Sequence, residues 1–158
     1  MAKRSSKKAP KWLVAVPILL AVVAVAMMFL TVVKYTGKVL STEITYTGWQ
    51  VIFGHAEKAG TVSAQVLGFS FLGLLAILLP VVGACLQVSK NKIVKLIGAV
   101  CALAGTIMLF LMPNMVVFAE NMGTAYSLYQ SALGVGAIIA GVVTALETIV
   151  IAYEVVVK

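Results

Sequence analysis

Long stretches without charged residues constrain this chain more than any other feature. Residues 12–33 form 22 consecutive positions without Lys, Arg, Glu or His. A helix rises ~1.5 Å per residue, so one of this length crosses a hydrocarbon layer of roughly 30 Å. The apolar part of a secretory signal peptide is only ~7–15 residues long. We therefore expect an uncleaved membrane helix here.

Three further apolar stretches follow, each of a length that can cross a membrane. They are residues 66–88, 93–112 and 130–153. The chain is 62% hydrophobic and only 11% charged, whereas soluble domains are nearer half apolar and a quarter charged. The sequence thus predicts an all-α membrane protein, a four-transmembrane-helix bundle in a single unit over residues 12–153.

The distribution of Lys and Arg predicts the orientation. The basic residues crowd the amino terminus and the turn between the second and third apolar stretches. With a cytoplasmic amino terminus only Lys34, Lys38 and Lys58 fall outside, which agrees with the positive-inside rule. We expect a multi-pass plasma-membrane protein with both termini cytoplasmic, a disordered basic tail at 1–11 and a short tail at 154–158. The same charges favour anionic lipid at the cytoplasmic face.

Residues 34–65 and 113–129 are too polar to cross a membrane and are predicted to form a small exoplasmic cap. The first segment is rich in β-branched and aromatic residues, so a short β-hairpin turning at Thr47 is one compatible conformation. The other is an amphipathic helical turn that places Trp49, Ile52 and Phe53 on one face. The sequence leaves both open.

The first exoplasmic segment also holds candidate interaction residues. They are Tyr46, Trp49, Gln50 and Phe53. Trp and Tyr are favoured at binding hot spots between proteins, and equally where a protein meets lipid headgroups. The sequence therefore predicts a docking surface for a partner, a headgroup belt, or both.

Small residues on the fourth apolar stretch form a second candidate surface. Gly134, Ala137 and Gly141 lie along one side of the expected helix. Helices in lipid associate through close backbone approach at such residues. Packing within the bundle is favoured over a seam between copies, because small residues recur by chance in spans rich in Ala and Gly.

Glu147 is the one acidic residue inside an apolar stretch, and an ionisable group at that depth is a functional hypothesis. It can anchor its helix near the cytoplasmic interface by pairing with Lys90, Lys92 or Lys95. Alternatively, it can line the vestibule of a small oligomeric channel or transporter. The anchor is favoured, because few other polar residues lie at mid-depth.

Catalytic and metal chemistry find little support. All five acidic residues are Glu and His55 is the one histidine, which excludes a Ser-His-Asp arrangement and a paired-aspartate site. His55 and Glu57 match no metal-site spacing, and no phosphate-binding glycine motif occurs. The basic residues are placed as topology signals. We expect a non-enzymatic protein without cofactor or metal and without a nucleic-acid partner.

The predicted topology and two short motifs resemble known families. Four spans with internal termini and a longer first exoplasmic segment resemble the layout of claudin-like proteins, and Gly48-Trp49 matches one fragment of their pattern. The paired exoplasmic cysteines of that family are absent, so its junction-forming function is not carried over. The stretch 47–54, TGWQVIFG, is similar to uncharacterised small four-span bacterial membrane proteins, which implies a bacterial plasma membrane.

These features predict a structural or accessory subunit. It would assemble with a partner protein, or with itself as a homo-oligomer, through its exoplasmic segment and its small-residue helix faces. The alternative is the channel or transporter built around Glu147. A third possibility, sensing of or immunity against an external peptide, would use the same exoplasmic surface as the subunit, and the sequence does not distinguish the two.

Overall fold

The computed structural model describes residues 12–38, 42–59, 61–120 and 123–157. The predicted basic tail at 1–11 and the last residue of the predicted carboxyl-terminal tail lie outside these ranges. The described residues form four longer helices and two short ones. The helices are α1 (Trp12–Met27), α2 (Gly48–Phe53), α3 (Phe71–Leu86), α4 (Lys92–Phe110), α5 (Gly123–Tyr126) and α6 (Val135–Val157). A single 3₁₀ turn, Met112–Asn114, comes after α4.

Strands at one end of the long helices form two antiparallel sheets. The strands are β1 (Thr31–Gly37), β2 (Glu43–Thr47), β3 (His55–Ala59), β4 (Val62–Leu67) and β5 (Tyr129–Leu133). β1 is the central strand of a three-stranded sheet, with β2 on one side and β5 on the other. In this register Tyr35 lies opposite Ile44 of β2 and Ser131 of β5. β3 and β4 form a separate hairpin.

The prediction of an all-α four-span bundle is wrong, because the ends of three apolar stretches form strands. Residues 31–33 belong to β1, residues 66–67 to β4 and residues 130–133 to β5. Val32 and Val33 are both 0% exposed, in the hydrophobic core that the sheets share with the helices. These valines are therefore apolar because they pack between the sheets and the helices. Hydropathy alone does not distinguish a buried strand of this kind from the end of a membrane helix.

Two of the long helices, α4 and α6, are long and apolar enough to cross a membrane by length and composition. The apolar helices α1 and α3 are 16 residues each, which is about 24 Å at the α-helical rise. They are shorter than a hydrocarbon layer of roughly 30 Å. The long helices thus differ in length, although their compositions are alike.

The four long helices pack in a closed ring. α3 contacts α4, α4 contacts α6, α6 contacts α1, and α1 contacts α3 more loosely. Each helix buries residues three and four apart along one side, the spacing of left-handed helix packing. In α4 these residues are Lys95, Gly98, Ala102, Gly105 and Leu109. In α6 they are Ala137, Ala140, Thr144, Glu147, Ile151 and Glu154.

Candidate functional site

Helix α2 is fixed in place at both of its ends. Its first turn carries a capping box, in which the Thr47 hydroxyl accepts from the Gln50 backbone N–H at 3.4 Å and the Gln50 side-chain oxygen accepts from the Thr47 N–H at 2.9 Å. Its last residue is followed by Gly54 at φ 89°, where a Cβ would lie 2.6 Å from the carbonyl oxygen of Leu67. Of the two conformations compatible with the sequence, the helical turn is therefore the one that forms, and β2 pairs with β1 instead.

The two faces of α2 differ in exposure. Val51 and Ile52 are 0% exposed and join the core, so the prediction that Ile52 shares the face of Trp49 and Phe53 is wrong. Trp49 and Phe53 lie on the other face and stack on each other, with ring centroids 5.8 Å apart and an interplanar angle of 12°. Phe53 is 60% exposed. The buried pair, with the half-buried Trp49 packed against the core, thus holds Phe53 at the surface in one orientation.

Two further rings extend this pair into a row. Phe29 lies 5.7 Å from Trp49, and Phe69 lies 6.5 Å from Phe53, measured between ring centroids. Phe29 comes after α1 and Phe69 precedes α3, and both side chains are exposed. We call Phe29, Trp49, Phe53 and Phe69 the aromatic row. It marks the boundary between the long helices and the sheets.

Tyr46 lies beneath the surface in a separate cluster of rings. It is 2% exposed, and its hydroxyl is 2.5 Å from the hydroxyl of Tyr126. Tyr35 lies edge-on to both of these rings, and Phe118 stacks on Tyr126 at 4.5 Å. These contacts join β1 and β2 to the segment that precedes β5. Tyr46 therefore holds the sheets together and offers no surface to a partner.

The buried phenols ionise late. Burial, with a smaller effect from Tyr126, raises the pKa of Tyr35 to about 12. Burial and then the hydrogen bond with Tyr126 raise the pKa of Tyr46 above its ordinary value. Neutral phenols are thus favoured in the folded protein far into the alkaline range.

Alkaline pH is therefore expected to unfold the sheets. The folded pKa of Tyr35 lies above the unfolded value of about 10, so its contribution to stability is complete below about pH 10 and is lost as the pH rises towards 12. Phenolate absorbance and circular dichroism, followed together, should show a late ionisation step that coincides with unfolding. In Tyr35→Phe the absorbance change of the late step should be smaller by the contribution of one phenol. Ionisation of every tyrosine near pH 10 with the fold intact would contradict the assignment.

Gln50 and His55 connect α2 to β3. The Gln50 side-chain nitrogen lies 3.3 Å from His55 Nδ1, while the Gln50 oxygen is used in the capping box. Both residues are thus engaged in local structure. Among the residues that the structure describes, no group of three His, Cys or Glu side chains is placed to hold a metal ion.

The predicted small-residue surface contacts its own chain: Gly134 directly precedes α6, and Ala137 and Gly141 lie within it. A Cβ at Gly134 would collide with the carbonyl oxygen of Thr31 in β1. At Gly141 it would lie 2.7 Å from the ring of Phe110 in α4, and Ala137 is 0% exposed. These three positions allow α6 to approach β1 and α4 closely.

Polar side chains occupy the buried side of the helices at the end away from the sheets. Lys95 donates to Glu154 at 2.5 Å, and the two side chains are 6% and 1% exposed. Gln87, 0% exposed, donates to the carbonyl oxygens of Gly83 and Lys95. Lys95 therefore pairs with Glu154 and not with Glu147, which removes one of the pairings that the anchor role allowed.

Glu147 lies two turns before Glu154 on the same buried side of α6. It is 0% exposed, and neither of its carboxyl oxygens has a hydrogen-bond partner among the described residues. Thr144 lies one turn before Glu147, and Thr148 follows it directly. Both threonine hydroxyls donate to backbone carbonyl oxygens of α6. Glu147 thus lies inside the ring of helices and does not reach its edge.

Several residues of these sites were not singled out from the sequence. Phe29 and Phe69 complete the aromatic row, and Gln87 and Glu154 complete the polar cluster around Lys95. Their positions in the sequence could have indicated burial. Gln87, Lys95 and Glu154 each lie three or four residues from another buried residue on the same side of their helix.

No protein-family model matches the chain, and no curated protein matches it either. Its function must therefore be inferred from the arrangement of its own side chains.

Proposed function

We propose that this is a non-enzymatic integral membrane protein, a structural or accessory subunit that assembles with a partner or with a second copy through the aromatic row. The observation that carries the proposal is the exposed ring of Phe53 on α2, held in place by stacking on the half-buried Trp49. Exposed aromatic side chains held in one conformation bind at low entropic cost, which is typical of interface anchors.

The outward faces of the long helices support a membrane location. They carry large apolar side chains, whereas the buried sides carry Gly, Ala and polar residues. On α4 and α6 the exposed apolar residues include Ile97, Val100, Leu103, Ile107, Ile138, Val142, Leu146 and Ile149. Large contiguous exposed apolar surface is rare in soluble monomers, and lipid is the environment that accommodates it.

The distribution of charge supports the proposed orientation in a plasma membrane. One cavity is lined by Val14 near the start of α1, by the basic turn at 89–92 and by Val155 near the end of α6. The start of the first long helix and the end of the last one therefore lie beside that turn. The positive-inside rule places this end in the cytoplasm and the sheets outside. A bacterial source, implied by the likeness of residues 47–54, is part of the same proposal.

In this orientation the aromatic row, at the boundary between the long helices and the sheets, would lie where the bilayer meets water. Aromatic side chains there contact headgroups, and another membrane protein can contact the same row laterally. The partner that fits is accordingly one with apolar surface at the bilayer boundary. Contact with headgroups and assembly do not exclude each other.

A second function, transport, is favoured by one observation. Glu147 is buried without a hydrogen-bond partner among the described residues, and carboxyl groups at such positions occur along proton and ion pathways. In this alternative, an oligomer would line a vestibule with Glu147.

Cross-linking in cells separates the two functions. A photo-reactive phenylalanine analogue at Phe53 should give a discrete adduct, and the same analogue at Leu103, outward on α4, should not. Trp49→Ala should reduce the Phe53 adduct at least severalfold, because Trp49 stacks on Phe53, whereas Glu147→Gln should leave it unchanged. Loss of the adduct in Glu147→Gln, with Trp49→Ala behaving as wild type, would favour the transport function instead.

A further inference from the structure

Between α1 and α3 lies an open apolar groove. It has a volume of about 180 Å³ and is lined by Ile18, Ala21, Val22, Val25, Val81, Ala84 and Cys85. The groove runs along the loosest of the contacts between neighbouring long helices. Its lining has almost no polar atoms, so its occupant must be apolar along this length.

At the end away from the sheets, the same pair of helices leads into a second cavity of about 300 Å³. Val14 lies one turn before Ile18 in α1, and Val88 lies about one turn after Ala84 at the end of α3, so the two cavities lie one after the other along one seam. The second cavity has mixed walls. Its lining is Val14, Gln87, Val88, Ser89, Lys90, Lys92, Lys95, Glu154 and Val155.

The charge of this second cavity is positive. Lys95 pairs with Glu154, whereas Lys90 and Lys92 are exposed and form no ion pair with a residue that the structure describes. An anion entering the cavity would therefore meet two lysine ammonium groups. Gln87, which is 0% exposed and lines the cavity, has a side-chain oxygen without a hydrogen-bond partner among the described residues. This oxygen can accept from a headgroup hydroxyl and does not bind the phosphate itself.

We propose that these two cavities together bind one anionic phospholipid, with its phosphate beside Lys90 and Lys92 and an acyl chain in the groove between α1 and α3. The length agrees with this occupant. From Ile18 to Val25 the groove follows about 10 Å of α1, which fits within one leaflet, half of a hydrocarbon layer of roughly 30 Å. Basic pockets between helices at the cytoplasmic face bind anionic headgroups. The inference rests on the proposed membrane location, and it does not depend on the aromatic row.

A free phosphate compound would use the same lysines but not the groove. The apolar groove is adjacent to the basic cavity, and only a ligand with both a charged and a hydrocarbon part fills both. For this reason we assign the site to a lipid.

Lipid retention by the full-length protein tests the assignment. In native mass spectrometry after exchange into mixed micelles, wild type should retain phosphatidylglycerol in preference to phosphatidylcholine. Lys90→Gln with Lys92→Gln should weaken retention about 25-fold, roughly fivefold for each lysine. The matched control is Lys34→Gln with Lys58→Gln, which removes the same charge from the sheet end and should retain the lipid.

The groove is tested separately by filling it. Val22→Trp places a large ring in the groove from its open side, and Leu19→Trp places the same ring on an outward position of α1 that does not line the groove. Val22→Trp should lose phosphatidylglycerol and Leu19→Trp should keep it. Equal behaviour of these two variants, or equal retention of the two lipids by wild type, would overturn the proposal.

Two further results keep the assignment open to contradiction. Displacement of the lipid by soluble glycerol phosphate would show that the ligand is a free anion. If a lysine variant does not fold, a fluorophore on Leu19→Cys in a Cys85→Ala and Cys101→Ala background gives the same answer, because position 19 lies on α1 beside the groove without lining it. Brominated phosphatidylglycerol should quench it more than brominated phosphatidylcholine, and equal quenching would refute a lipid-specific site. Assembly through the aromatic row can fail in its own experiment without changing these outcomes.

Discussion

Replacing Lys95 with methionine is expected to destabilise the fold by about 3–5 kcal/mol, the cost of removing one partner from a buried ion pair. Lys95 and Glu154 are both almost fully buried, and they connect α4 to α6 at the end away from the sheets. Methionine fills a similar volume but leaves the Glu154 carboxylate without this ammonium group. The loss is thus one of charge compensation and not of packing.

Unfolding in detergent, followed by circular dichroism, measures this effect. Lys92→Met is the matched control, since Lys92 is exposed one turn earlier on α4, and it should change the free energy of unfolding by less than about 0.5 kcal/mol. The double variant Lys95→Met with Glu154→Leu should recover much of the loss, because neither charge then remains buried. A Lys95→Met protein as stable as the Lys92→Met protein would show that the pair contributes little.

Replacing Gly105 with alanine is expected to have the second largest effect, a loss of about 1–3 kcal/mol from overpacking. A Cβ at this position would lie 2.5 Å from Cγ of Pro80, in a ring that cannot rotate away. Alanine is intrinsically better than glycine in a helix by about 1 kcal/mol. A net loss would therefore show that close packing of α3 on α4 outweighs helix propensity.

The same unfolding measurement serves for Gly105→Ala, with Gly123→Ala as control. A Cβ at Gly123 would meet no atom within 4 Å among the residues that the structure describes, so that substitution should be neutral or slightly stabilising. Removing the obstructing ring in Pro80→Ala should relieve part of the Gly105→Ala defect. If Gly105→Ala and Gly123→Ala were equally harmless, α3 and α4 would not be in close contact at Gly105.

How far the sequence predicts the fold depends on what each apolar residue packs against. It predicts the long helices α4 and α6, because a long apolar run with few charges has few other stable conformations. It does not predict where helix gives way to strand at Thr31, since Val32 and Val33 are as apolar as any membrane-facing residue. Their burial between sheets and helices depends on the pairing of β1 with both β2 and β5. β2 follows β1 closely in the chain, whereas β5 begins only at Tyr129.

Local chemistry could have predicted α2. Thr47 and, three residues later, Gln50 have the spacing of a capping box, and the structure contains that box. The hairpin remained compatible because the same residues are β-branched and aromatic. The capping-box spacing was thus more informative than β-propensity, because it predicts specific hydrogen bonds between two identified residues.

The partner of Lys95 could not be predicted from the sequence. Glu147 and Glu154 are seven residues apart, which places both on one side of α6, and either could face α4. The choice depends on how far α4 and α6 are offset along their lengths, which is set by close contacts such as that of Gly141 with Phe110. Such contacts form only in the assembled ring of helices.

The most direct test of assembly is native mass spectrometry of the full-length protein, extracted gently from its own membrane at natural abundance. We predict a mass above that of the lipid-bound monomer, from a heteromer or a homo-oligomer, which reverts to the monomer in Trp49→Ala with Phe53→Ala and persists in Glu147→Gln. A monomer from the wild-type protein, or an assembly that the aromatic variant leaves intact, would contradict the proposed role of the aromatic row.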